Sequence, residues 1–307
     1  MSHSVPTSPA SPPLWPEAGQ PLAVAAPAGA VDQGTLRAGL AALAELAPEA
    51  PIRVDQLVLD RRGYLAGEDA ARASHLAELM TQPGLGGVIC ARGGFGASRL
   101  LPLLDLQAMV RGRRLLMGFS DLTALLNALA AQGLVTLHGP MVAQLPRLDA
   151  ASRQALSLLL AGRPPWPLTL EGRPLAQGRA EGVLWGGNLT MICHLLGTPW
   201  LPPLRGALLF LEEVHEPAYR LDRLLTQLEL AGVFAQVAGV ALGALSNQDQ
   251  EPPDLIQVVA RRLGGLGVPV LTGLPFGHGA SNLPLPVGAW AQMDAGAGWL
   301  RVGVNLA

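Results

Sequence analysis

Apolar positions along the chain fall into short runs separated by stretches with helical spacing. Residues 21–27 read as a buried strand, and Asp32 then caps a helix to residue 46, with apolar side chains at 36, 40, 43 and 46. A second strand is predicted over 52–59. Residues 69–80 form an amphipathic pattern with Ala70, Ala73, Leu76, Ala77 and Met80 on one side, which leaves His75 on the polar, solvated side. Residues 87–91 make a third strand that runs into Arg92-Gly93-Gly94-Phe95-Gly96, and a helix follows over 99–104. The apolar run at 115–118 ends at Phe119-Ser120-Asp121, where an Ala/Leu-rich helix begins, and 134–138 supplies another strand. Such alternation implies right-handed βαβ units and a mainly parallel sheet, whose active residues lie beyond the C-terminal strand ends. Arg92-Gly93-Gly94 and Ser120 are both at such ends.

The second half of the chain is organised differently. Residues 147–179 contain Pro164-Pro165-Trp166-Pro167 and read as a crossover with a short helix. Strands are then predicted at 182–188, 208–212, 237–245 and 269–274, with helices at 189–196, 219–231 and 253–263. Residues 287–304 resemble antiparallel strands with glycine turns. The organisation expected is a disordered tail over 1–20, an α/β domain over 21–145, a linker or crossover over 146–179 and a C-terminal domain over 180–307.

Half the residues are hydrophobic and 14% are charged, so a sizeable core can be buried. A balance of 21 basic and 23 acidic residues makes no electrostatic case for nucleic acid. Every basic residue other than histidine is Arg, which removes Schiff-base chemistry, Ser-Lys dyads and the P-loop lysine. Cys90 and Cys193 lack metal-ligand spacing and read as buried free thiols in a reducing compartment. No Lys or Arg precedes Arg37, and no apolar stretch reaches the roughly 18 residues of a membrane span. A soluble, cytoplasmic protein without a disulfide or metal site is the expectation.

A serine in a strand–turn–helix corner can stand clear of the backbone, close to the N–H groups that open the helix. Those groups could hold an oxyanion at Ser120. The common alternative is that Ser120 or Asp121 caps the helix. A serine nucleophile needs a base and a carboxylate to orient it. His138 and His278 lie at strand ends, and His278 is flanked by glycines in Phe276-Gly277-His278-Gly279. A loop histidine in water is the alternative there. His194 reads as packed in its helix, and His215 lies in a polar turn. Glu212 and Glu213 follow four apolar residues, where at least one needs a partner and only one can face a given site; a solvated strand end is the competing reading. Gly93, Gly94 and Gly96 miss the nucleotide fingerprint and fit better as backbone donors to a substrate oxygen.

Together these motifs resemble the LD-carboxypeptidases, serine peptidases that include muramoyltetrapeptide carboxypeptidase and the microcin-immunity peptidases. The matching residues are Ala25-Ala26-Pro27, Tyr64 to Asp69 with Arg72, Ala91 to Gly96, Gly118 to Asp121, His138-Gly139-Pro140, Gly186 to Leu189, Gly197-Thr198-Pro199, Leu211-Glu212-Glu213, Tyr219 to Arg223 and Gly277-His278-Gly279. Ala28 and Phe95 depart from the family's usual Ser and Tyr. The resemblance implies an α/β fold with an N-terminal parallel-sheet, Rossmann- or flavodoxin-like domain and a second α/β domain with a mixed sheet or barrel. It implies Ser120 as nucleophile, His278 as base, Glu212 as orienting acid and the Asp121 and Gly94 amides as oxyanion hole. It further implies release of D-alanine from murein tetrapeptide by a cytoplasmic homodimer, with no metal or cofactor. The alternatives are an amidase acting on peptidyl nucleotides and a catalytically silent binding module on the same scaffold. An exopeptidase must sense a free terminal carboxylate; without Lys, Arg92 or the amides around Gly93 are the candidates, unless Arg92 pairs with an acid to brace its loop.

Overall fold

The computed structural model describes residues 9–17, 19–246 and 252–303. In the first half, strands β1 (Leu22–Ala25), β2 (Ile52–Val54), β3 (Gly87–Cys90), β4 (Leu115–Gly118) and β5 (Thr136–His138) alternate with helices α1 (Gln33–Leu46), α2 (Asp69–Thr81), α3 (Leu106–Gly112) and α4 (Thr123–Ala131). Strands β1, β3 and β4 are continuous apolar runs buried at every residue, because both faces of the sheet are covered there. Asp32 caps α1 as expected, accepting from the Thr35 amide at 2.8 Å. Two segments differ from expectation. Strand β2 stops at Val54 and the chain turns through a 3₁₀ segment over Gln56–Leu59, while Pro102 holds residues Ser98–Leu103 in a 3₁₀ turn ahead of the unanticipated α3.

The second half runs α5 (Ala150–Leu160), β6 (Leu168–Glu171), β7 (Arg173–Ala176), β8 (Arg179–Asn188), α6 (Leu189–Leu195), β9 (Leu208–Val214), α7 (Ala218–Leu230), β10 (Gly239–Ser246), α8 (Pro252–Leu263), β11 (Val270–Thr272), β12 (Leu285–Val287), β13 (Trp290–Asp294) and β14 (Trp299–Val302). The stretch read as a crossover therefore holds an 11-residue helix and two strands. β6 and β7 are largely exposed edge strands, so neither shows the apolar run of a central strand.

The first sheet has the order β12-β5-β4-β3-β1-β2. Strands β2-β1-β3-β4-β5 are parallel in the flavodoxin-like order, with the switch point between β1 and β3. The late strand β12 joins its edge antiparallel to β5. The second sheet has the order β6-β14-β13-β8-β9-β10-β11-β7, parallel from β8 through β11 and antiparallel elsewhere. β6 and β7 stand at opposite ends of that order yet are separated by Gly172 alone, so the sheet is nearly closed. The fold is α/β with a mainly parallel first sheet and a mixed second one, as expected.

Residues 9–17 correct the reading of 1–20 as a disordered tail. The Ala10 amide donates to the Gly288 carbonyl, Ser11 to Gly133 and Leu14 to Arg113, at 2.7–2.9 Å, and Trp15 meets Trp166. Composition marks this Pro-rich segment as aperiodic, but an extended chain satisfied by loop carbonyls needs no periodicity. Residues 1–8 lie outside the described ones.

The two sheets are joined where α4 crosses β8. Asn127 donates to the Gly186 carbonyl at 2.7 Å, and the Thr123 hydroxyl accepts from the Asn188 amide at 3.0 Å. A Cβ on Gly187 would sit 2.4 Å from the Thr123 hydroxyl, and one on Gly186 1.9 Å from the Phe210 carbonyl. Both residues also have φ near +140°, so only glycine fits. Among the described residues no helix is long and apolar enough to cross a membrane.

Candidate active site

Ser120 follows β4 at a tight corner. Phe119 is extended, and Ser120 itself has φ +62°, a left-handed conformation that costs a non-glycine residue about 1 kcal/mol or more. A 3₁₀ turn over Ser120–Leu122 leads into α4, and neither it nor α4 has a side-chain cap. The capping alternative therefore fails. Asp121 has a different use: it is buried, and its Oδ2 accepts from the Ala97 amide at 2.8 Å. Burial pushes its carboxyl pKa up. The side chain beside Ser120 thus ties the corner to the glycine loop after β3.

That loop is held tightly against Ser120. A Cβ on Gly93 would lie 3.0 Å from the Ser120 Cβ, 3.1 Å from its Oγ and 3.5 Å from the Asp121 nitrogen. Gly94 has φ +103° and packs on Gly29, whose amide donates to the Gly93 carbonyl at 2.9 Å. Arg72, on α2 and almost fully buried, donates to the Pro27 and Gly96 carbonyls and pairs with Asp69. The glycines let backbone donors approach the serine, and Arg72 and Asp121 brace them from behind.

Glu212 and His278 form a bonded pair. Glu212 is fully buried on β9, and its Oε2 lies 2.6 Å from His278 Nδ1. A neutral imidazole in this pair donates from Nδ1 to the carboxylate, leaving Nε2 as the acceptor. Gly277 admits the contact, since its own Cβ would fall 2.8 Å from Glu212 Oε2. The His278 ring packs on Phe119, next to Ser120, at 4.6 Å between centroids. Ser120 and His278 line one cleft of about 620 Å³, although no hydrogen bond joins them in this state. Glu213 points away from it: its two oxygens accept from Asn188, the Val214 amide, and the Thr190 amide and hydroxyl, at 2.7–2.9 Å. Neither acid is a solvated strand end.

The His278 loop is clamped from the first half of the chain. Gln144 donates to the Gly279 carbonyl at 3.2 Å and accepts from Asn282 at 2.8 Å, while Asn282 accepts from the Gly277 amide at 2.9 Å. Ser281 donates to Asp149, the cap of α5, and the Asn282 amide to Ser152 at 2.9 Å. None of these partners carries a motif-like signal in the sequence.

The other histidines sort by burial. His138 is fully enclosed by Phe119, Phe210 and Phe276, and desolvation drives its pKa down to about 3, so it is a neutral wall behind the site. His75 is buried against Asp55 at 3.0 Å, against the expectation of a solvated side chain, because the 3₁₀ segment folds Asp55 over α2. His194 is exposed rather than packed, and His215 lines the cleft. Arg92 is exposed at the cleft mouth and donates to the Ala30 carbonyl at 3.0 Å; among the described residues it has no acidic partner. Arg147, which sequence reasoning passed over, also lines the cleft.

The comparisons with known proteins agree with this architecture. Residues 22–139 match the LD-carboxypeptidase N-terminal domain, and residues 181–293 match the LD-carboxypeptidase C-terminal domain. The murein tetrapeptide carboxypeptidase of Pseudomonas aeruginosa is 34% identical over 302 residues, 93% of this chain and 97% of that protein. The chain belongs to the LD-carboxypeptidase family. The crystal structure of muramoyltetrapeptide carboxypeptidase from Oxalobacter formigenes superposes with a TM-score of 0.81 at 31% identity, covering 92% of this LD-carboxypeptidase and 97% of the other chain. The microcin C7 self-immunity protein MccF of Escherichia coli is 27% identical over 75% of this chain and 77% of its own. As a family member this protein is a carboxypeptidase, a hydrolase, and the cleft between the two sheets is its candidate active site.

Proposed function

We propose that this LD-carboxypeptidase is a serine peptidase that releases terminal D-alanine from murein tetrapeptide. The observation that carries the reading is the 2.6 Å Glu212–His278 pair facing a cleft shared with a strained, uncapped serine. Ser120 Oγ attacks the carbonyl carbon of the amide joining the L-centre of diaminopimelate to D-alanine, and His278 Nε2 takes the hydroxyl proton. Glu212 holds the imidazole in the required tautomer and stabilises the imidazolium. The tetrahedral oxyanion is received by the Gly94 and Asp121 amides. Collapse breaks the C–N bond, His278 returns its proton to the leaving amine, and water hydrolyses the acyl-enzyme by the same base.

Arg92, beside Gly93 and without an acidic partner among the described residues, supplies positive charge to the substrate's terminal carboxylate. The implied setting is muropeptide recycling by a cytoplasmic homodimer. Identity to the P. aeruginosa enzyme over nearly the whole chain favours murein peptide over the peptidyl-nucleotide reading suggested by MccF.

Incubation with murein tetrapeptide, followed by mass analysis, tests the reaction. Loss of one alanine is expected from the wild type, and a decrease of roughly 10⁴-fold or more from Ser120→Ala. Near-wild-type turnover by that variant would refute the nucleophile. Amidating the terminal carboxylate should lower kcat/KM sharply, and Arg92→Ala should lose most of that discrimination; equal losses on acid and amide would remove Arg92 from this role.

A further inference from the structure

A second cleft of about 500 Å³ adjoins the first across the glycine loop, sharing Arg92 and Gly94 with it. Its other walls are Gly29, Ala30, Arg61, Gly63, Tyr64 and Phe95. Two features there go unused by the fold. Tyr64 and Phe95 are exposed at 65% and 42%, with rings tilted together at 5.9 Å between centroids. Arg61 is exposed and, among the described residues, pairs with no acid, whereas its neighbour Arg62 is committed to Glu68.

The frame beneath these side chains is fixed. The Ala30 amide donates to the Tyr64 carbonyl at 2.9 Å, and the Ala30 carbonyl accepts from Arg92 at 3.0 Å. Gly29, which bonds to Gly93, also bridges to Leu65. The segment bearing Tyr64 is therefore tied through two short links to the loop that faces Ser120. Exposed aromatic faces cost solvation unless something covers them, and an unpaired guanidinium beside them is suited to a carboxylate.

We propose that this second cleft is a substrate subsite, in which Tyr64 and Phe95 bear the apolar length of the peptide on the acyl side of the scissile bond and Arg61 binds a carboxylate on it. The proposal rests on the reaction proposed above. An exopeptidase that releases one residue keeps nearly all of its substrate on the acyl side, and the only groove shared with the oxyanion loop, among the clefts described here, is this one. In murein tetrapeptide the glutamyl residue supplies such a carboxylate, so the cleft would select acidic peptide stems over shorter or neutral ones.

The test compares kcat/KM for the tetrapeptide, the same peptide with its glutamyl carboxylate amidated, and the diaminopimelyl-D-alanine dipeptide. Wild-type enzyme should prefer the acidic tetrapeptide to either by about tenfold or more. Arg61→Gln should lose the preference for acid over amide, and the Tyr64→Ala/Phe95→Ala double variant should lower the tetrapeptide-to-dipeptide ratio by a similar factor. Losses equal on all three peptides, or no change in either ratio, would overturn the subsite. So would a gain seen only with a muramoyl-bearing peptide and indifferent to Arg61, which would assign the cleft to the sugar. Calorimetric binding of the tetrapeptide to Ser120→Ala protein separates the two proposals. Tight binding weakened by Arg61→Gln, without turnover by the wild type, would leave the subsite standing and refute the reaction; no binding would refute the subsite.

Discussion

Replacing Glu213 by Gln should unfold the protein more easily while sparing its chemistry, and replacing Glu212 should do the reverse. Glu213 accepts two hydrogen bonds on each oxygen. A glutamine there must turn its amide nitrogen toward one pair of donors. Facing Thr190, the hydroxyl can reverse and accept, but the Thr190 amide loses its acceptor. Facing Asn188 and Val214, two donors are confronted. The smaller loss is one charge-assisted bond and one stranded donor, about 2–4 kcal/mol, which lowers Tm by roughly 3–6 °C in a chain of this size. Glu212 has one oxygen on His278 and a second, Oε1, buried without a partner among the described residues. Neutralising it removes an incompletely satisfied buried charge, so Tm should fall little, while kcat drops by roughly 10³–10⁴ because the imidazolium is no longer stabilised. Thermal melts and steady-state rates at 25 °C on both variants decide the matter. A Glu213→Gln protein with unchanged Tm, or with kcat lost as heavily as in Glu212→Gln, would refute the division of labour between the two faces of β9.

Two further outcomes follow from the packing. His138 stays neutral in the fold down to about pH 3 but takes a proton in the unfolded chain below about 6.5, so the unfolded state binds more protons across that window and stability declines as pH falls through it. His138→Phe should therefore gain stability relative to wild type as pH is lowered from 6.5 to 4, by up to about 1.4 kcal/mol per unit, and urea titrations showing a pH-independent difference would contradict this. Gly93→Ala should abolish most turnover with a near-normal far-UV spectrum, since its methyl would press on Ser120 Oγ at 3.1 Å; activity within about threefold of wild type would show that the loop yields.

The parts of the fold visible in the sequence are those governed by local period and by chain-end chemistry. Strands β1, β3, β4 and β9 are four-residue or longer apolar runs, and α1 carries both its stripe and its cap. Ser120 was legible because a strand, a small residue and a helix follow one another without a gap. Glu212 and Glu213 stood out together as acids ending an apolar run, and the choice of Glu212 came from the family resemblance. What sequence could not reveal depends on distance in the chain. His75 reads as solvated until Asp55 is folded over it, and Gln144 meets Asn282, and Asp149 meets Ser281, only when residues more than 130 apart in sequence are brought together. β12 is three residues long and belongs to the sheet of the other half, so neither its length nor its neighbours betray its partner. Residues 9–17 have no periodicity because their bonds go to scattered partners: the Ala10, Ser11 and Leu14 amides donate to loop carbonyls, and the Ser11 and Pro12 carbonyls accept from the Val135 amide and Arg113.

The placement of β12 governs how the enzyme can move. His278 hangs between Phe276, packed in the core of the second sheet, and Leu285, hydrogen-bonded into the edge of the first. Two-lobed enzymes often admit substrate by swinging apart about a hinge. Here such a swing would have to strip β12 from β5 and pull the Gln144 and Asp149 clamps open, displacing His278 from Ser120 at the same moment. These links favour entry by diffusion into an already formed trough, with Arg92 and Arg147 at its rim, over a swing of the two halves. Turnover should then be insensitive to solvent viscosity beyond its effect on diffusion, and inhibitors shaped to the resting cleft should need no closed state to bind.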